Sequence, residues 1–131
     1  MIEMSDEQFA ALIAEVMDEL PPEHMRAVKN VAITYEDEPS ETQREELRLA
    51  CDDILFGLYE GVPLTKRIGQ THFAPDKITI FKNPALQHAR TPAELRREVK
   101  HTLWHEIAHY FGLDHARIHQ LERKNGWYNL K

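Results

Sequence analysis

A single cysteine, Cys51, occurs in 131 residues, so an internal disulfide is excluded and a reducing compartment is expected. In a segment with apolar Leu49, Ala50, Ile54 and Leu55 on either side, this thiol reads as a packed side chain rather than a metal ligand. No apolar run approaches the roughly 20 residues that cross a bilayer. Met1 to Glu7 is acidic and has neither the basic stretch nor the apolar core of a secretory signal. These absences predict a cytoplasmic protein with no membrane partner. Repeats, low-complexity runs and an interdomain linker are also missing, and the length suits one domain spanning 1–131.

An excess of positive charge is lacking as well: the net charge is −6. A nucleic-acid partner would call for a basic surface, so the balance argues against one. The charge is uneven, however. Residues 1–60 hold 16 acids against 4 bases, and residues 61–131 hold 6 acids against 12 bases. The basic half could favour carboxylate-rich substrates, but mutual neutralisation of two halves folded together is the preferred reading.

Seven of the eight histidines lie in that second half, and three of them fall in one short stretch, W-H-E-I-A-H-Y-F-G-L-D-H (104–115). His105 and His109 are four apart, which on a helix sets both imidazoles on one face, a turn apart. Two nitrogens so placed can share one zinc ion. Glu106 lies about 100° round the helix, where it flanks a metal without being a ligand, as a general base for water must. Gly112 offers a left-handed helix end, after which the chain can fold back and bring in His115 as a third nitrogen. Three imidazoles and an open fourth position describe a catalytic zinc site rather than a structural one. A histidine-rich surface helix capped by glycine leaves this spacing unexplained.

The third ligand is the least constrained. Asp114 is placed to cap a following helix, and His119 lies a turn beyond His115, so aiming one of them at the metal moves the other away. Tyr59 and His119 are candidates for a further donor to the developing oxyanion, with a packed aromatic and a solvated helix residue as the plainer readings. His101, a turn before His105, reads as exposed or as supporting the site.

The remaining pattern supplies a framework. Ser5 and Gln8 fit a capping box ahead of an apolar stripe, Phe9, Leu12, Ile13, Val16, Met17 and Leu20, ended by Pro21-Pro22. Strands are expected over Val28–Tyr35, Ile54–Glu60 and Lys77–Lys82, with Gly57 marking a bulge or a close backbone approach. Residues 40–50 read as a short helix or structured loop, and residues 64–76, with His72, as irregular. Thr91, Pro92 and Glu94 open a helix of about 20 residues, roughly 30 Å long. Its apolar positions cover more than half its circumference, leaving His105 and His109 on the narrower face. A further helix is expected from Asp114 to about Lys124, with Trp127 and Tyr128 docking afterwards. The fold class is α+β, a small mixed sheet packed on the metal-binding helix. Ile78–Phe81 is the candidate edge strand for aligning an extended substrate.

The run H-E-x-x-H-x-x-G-x-x-H resembles the extended zinc motif of metzincin peptidases. Those need a methionine turn under the metal, and the last methionine here is Met25. More of the chain is similar to a bacterial family of small zincin-like, minimal metalloprotease-like proteins. The shared stretches are the amphipathic first helix, V-A-I-T-Y-E-D-E-P (31–39), G-L-Y-E-G-V-P-L (57–64), D-K-I-T-I-F (76–81) and H-E-I-A-H-Y-F-G (105–112). The resemblance implies a compact α+β zincin fold, and within it the position of His115 is often Asp. The expected activity is zinc-dependent hydrolysis of peptides or unstructured protein, with Glu106 as catalytic base. Two alternatives belong to other classes. The pattern H-x-x-x-H-x-x-G-x-D-H is similar to that of bacterial endoribonucleases of ribosomal RNA maturation, although a glycine usually follows the first histidine there. A non-catalytic, metal-stabilised binding module is the other.

Overall fold

In a computed structural model, the structure describes residues 2–22, 25, 31–47, 55–61, 76–112, 116, 117 and 120. Cys51, His72, Asp114, His115, His119, Trp127 and Tyr128 lie outside them, as do the expected strand starts at 28–30 and 54.

Helix α1 (Asp6–Glu19) opens with the expected box: the Gln8 amide donates to the Ser5 hydroxyl at 3.1 Å, and the Ser5 amide to the Gln8 side chain at 2.9 Å. Strand β1 (Val31–Glu36) follows, then a short helix α2 (Glu41–Glu46) in which Ser40 and Gln43 repeat the same exchange. Strands β2 (Gly57–Glu60) and β3 (Asp76–Phe81) complete the sheet. Helix α3 (Lys82–His88) leads into α4 (Pro92–Tyr110), where the Thr91 hydroxyl accepts from the Glu94 amide at 3.1 Å. Ala116, Arg117 and Gln120 are also helical.

The three strands form a mixed sheet in the order β1-β3-β2, parallel between β1 and β3 and antiparallel between β2 and β3. This corrects the expectation for Ile78–Phe81. Strand β3 is central and bonded on both sides, because its I-T-I-F run is buried almost throughout. Apolarity on both faces marks an inner strand. Among the described residues β2 is the edge next to α4.

Helices α1 and α4 cover one face. Tyr35, Ile78 and Ile80 share that face through their register, and they meet Phe9, Val16, Leu95, Val99, Leu103, Trp104 and Ile107 in one core. Each fully buried Ile or Leu there contributes about 1.5–3 kcal/mol. Phe9 meets Tyr35 edge-on at 5.7 Å, which seats α1 over β1.

Charge pairs knit the acidic first half to the basic second half. Arg96 binds Glu15 at 2.8 Å and also Glu19, while Lys100 reaches Glu19 at 4.0 Å. Lys82, nearly buried, meets Asp6 at 2.7 Å, and Lys77 meets Glu60 at 3.7 Å. The asymmetry of the sequence is thus partly neutralised inside the fold. No described helix is long and apolar enough to cross a membrane.

Candidate metal centre

The site is built at the C-terminal end of α4. Potential ligand atoms of His105, Glu106 and His109 all lie within 4.8 Å of one another. The two imidazoles are stacked edge-on with centroids 4.7 Å apart, as the four-residue spacing requires. Both are half-buried, whereas Glu106 is only 9% exposed. The difference follows from the helix: a step of about 100° carries residue 106 off the histidine face and under the sheet. His101 is half-buried one turn earlier, its ring 6.2 Å from that of His105.

The helix ends as the glycine suggests. Gly112 has φ +81°, and its amide bonds the His109 carbonyl at 2.9 Å, one half of a Schellman closure. The helix therefore closes at Gly112, three residues after His109. His115, Asp114 and His119, the candidates for the next ligand, fall beyond the described residues.

Burial pushes the Glu106 carboxyl up from its ordinary 4.5 to about 7, against a smaller downward pull from the Tyr59 backbone amide that donates to it. That amide belongs to β2. Phe81 donates to the Phe56 carbonyl at 2.9 Å, so 56 and 81 form a hydrogen-bonded antiparallel pair. Alternation along the ladder then turns the backbone groups of Gly57 and Tyr59 to the outer edge. There Tyr59 finds Glu106. The close approach expected at Gly57 is present: a Cβ would lie 2.5 Å from Thr102 Cγ2, 3.2 Å from the Thr79 carbonyl oxygen and 3.5 Å from Glu106 Cγ. Only glycine lets β2 lie this near α4.

Tyr59, expected to be either an oxyanion donor or a packed aromatic, takes the second course. Its hydroxyl donates to Asp76 Oδ2 at 2.7 Å, and its ring meets Tyr110 edge-on at 6.1 Å. Sequence reasoning missed Asp76 and the Tyr59 amide. The latter is a main-chain group with no residue-type signature, and the glycine at 57 was the one local pointer to it.

The donor set fits zinc. Two half-buried imidazoles lie close enough to share one ion, with the Glu106 carboxyl beside them and no thiolate or thioether among the three.

Comparisons with known proteins bear on the family and the fold. Residues 28–125 match the zincin-like metallopeptidase family, three quarters of the sequence, and the chain belongs to that family. A solved structure of similar fold is a conserved hypothetical protein from Thermo thermophilus, 19% identical, with a TM-score of 0.51 over 93% of this chain and 98% of the other. At that identity the likeness concerns the fold alone. No functionally curated protein matches the chain.

Proposed function

We propose that this protein is a zinc-dependent metallopeptidase in which His105, His109 and His115 hold the metal and Glu106 is the general base. The observation that supports the reading is geometric: the buried Glu106 carboxyl stands beside a pair of imidazoles and accepts from the Tyr59 amide. A general base must first be held within reach of the proton that it takes.

A zinc ion held there would act as a Lewis acid, lowering the pKa of water to about 7 and bearing charge that develops on a carbonyl oxygen. Glu106 takes the proton of the attacking water on its carboxylate and returns it to the leaving amine. The Tyr59 amide holds that carboxylate in place before and after the transfer. Strand β2, rather than Ile78–Phe81, offers an outer edge to an extended peptide. The Gly57 backbone is turned toward that edge, and a peptide added there lies beside Glu106.

The test combines metal analysis with cleavage. Chelator-treated protein should take up one zinc per chain and, once loaded, cleave unstructured peptides in a chelator-sensitive way. Glu106→Gln should keep its zinc while hydrolysis falls 10²–10⁴-fold, the usual contribution of a positioned base. Loss of zinc in Glu106→Gln would make Glu106 a ligand. Cleavage of RNA alone would transfer the protein to the nucleases, and tight zinc with neither activity would make it a binding module.

A further inference from the structure

We infer that Tyr59 and Asp76 are positioning residues for Glu106, acting through the β2 backbone. The inference rests on Glu106 being the base, and it begins from a mechanical difficulty. The amide that holds Glu106 sits on a four-residue strand with one described neighbour, β3. An edge strand of this length frays readily. A carboxylate tied to it is no better placed than the strand itself.

The structure restrains that strand at Tyr59 from both ends of the residue. The backbone amide meets Glu106, and the phenol reaches diagonally across the ladder. Tyr59 stands opposite Ile78, so Asp76 is two residues away on the same face, a distance that long side chains span. The hydroxyl meets the Asp76 carboxylate at 2.7 Å. Asp76 is 2% exposed and opens the central strand, the best-anchored part of the sheet.

Gly61 makes room for this contact. With φ +154°, it places a Cβ, were there one, 2.3 Å from Asp76 Oδ1. The carboxylate thus occupies the space that any side chain at 61 would fill. Burying a carboxylate is costly, and apolar residues of similar volume hold a strand equally well. A packed pair would not, however, fix the rotation of Tyr59 about its own strand, which decides where its amide points. A hydrogen bond of defined direction does. Tyr110, one turn beyond Glu106, closes the arrangement by meeting the Tyr59 ring edge-on.

The test uses Tyr59→Phe, which removes the hydroxyl and keeps the ring, and Asp76→Asn, which keeps an oxygen acceptor for the hydroxyl. Amide exchange at residue 59 is read by NMR, zinc affinity by chelator competition, and peptide hydrolysis as kcat and KM separately. In Tyr59→Phe, exchange at residue 59 should quicken about tenfold as the strand loosens, with zinc affinity little changed. Hydrolysis should lose about tenfold in kcat, part of the 10²–10⁴ a positioned base supplies, at nearly constant KM. Asp76→Asn should fall between Tyr59→Phe and the unaltered protein in both readouts. Unchanged exchange at residue 59, or an unchanged kcat with exchange quickened, overturns the inference. If the unaltered protein cleaves no peptide, the metallopeptidase reading fails by itself, and exchange at residue 59 still decides whether the phenol fixes the amide beneath Glu106.

Discussion

Replacing Glu106 with Gln should stabilise the metal-free protein, and by an amount that depends on pH. The folded-state carboxyl titrates near 7 where an ordinary one titrates at 4.5. The shift of 7 − 4.5 = 2.5 is, at 1.36 kcal/mol per unit, about 3 kcal/mol. Because the folded chain holds this proton more tightly, it binds more protons than the unfolded chain between pH 4.5 and 7. Stability therefore falls as pH rises through that window and levels off above it. Glutamine has nearly the same shape and no charge, and its amide oxygen can still accept from Tyr59. The variant should match the unaltered protein near pH 4 and exceed it by about 3 kcal/mol at pH 8, or about 10 °C in Tm for a domain of this size.

Urea unfolding of chelator-treated protein from about pH 4 to 8.5 measures the difference, and titrating groups common to both chains cancel from it. A gap that stays flat with pH, or a Gln variant less stable at pH 8, would refute the claim that Glu106 is a desolvated carboxylate. Zinc supplies a second check. A dication beside the carboxylate reverses the local preference and favours its charged form, so saturating zinc should narrow the gap. Zinc uptake near pH 6 should likewise release the Glu106 proton, seen as a buffer-dependent heat of binding. A stability gap indifferent to zinc would place the metal elsewhere.

Other perturbations test the surrounding frame. His115→Ala should sharply weaken zinc binding, Asp114→Ala should cost about 0.5–2 kcal/mol through a lost helix cap, and His119→Ala should leave affinity near its starting value; full affinity in His115→Ala with loss in Asp114→Ala assigns the third position to the aspartate. Gly57→Ala forces a Cβ against Thr102 Cγ2 and should destabilise by about 1–3 kcal/mol; Thr102→Ser, which removes that methyl, should recover part of the loss in urea unfolding. Asp6→Asn leaves the nearly buried Lys82 ammonium without its charged partner and should cost about 1–3 kcal/mol, measured the same way.

What the sequence made legible was local. Thr91, Pro92 and Gly112 mark the ends of α4 because capping involves neighbours a few residues apart, and the structure forms both ends accordingly. The meeting of His105 with His109 follows from helical pitch alone. The order of the strands does not, because alternation within K-I-T-I-F-K is unclear and pairing joins residues distant in sequence. Hence Ile78–Phe81 reads as an edge, while its near-complete burial makes it the centre. The environment of Glu106 lies between these cases. The apolar positions of α4 already cover more than half its circumference, and Leu103, Ile107 and Tyr110 are helical neighbours of residue 106, all buried. A carboxylate among them, about 100° from the histidine stripe, must lie beneath whatever the helix covers. Its raised pKa was thus implicit in the helical pattern. What the pattern lacks is the donor. An amide of an edge strand aimed at Glu106 needs the β2–β3 register, the space at Gly57 and the Tyr59–Asp76 contact together. The motif determines which reactive groups meet, and these sheet residues determine how firmly the base is held.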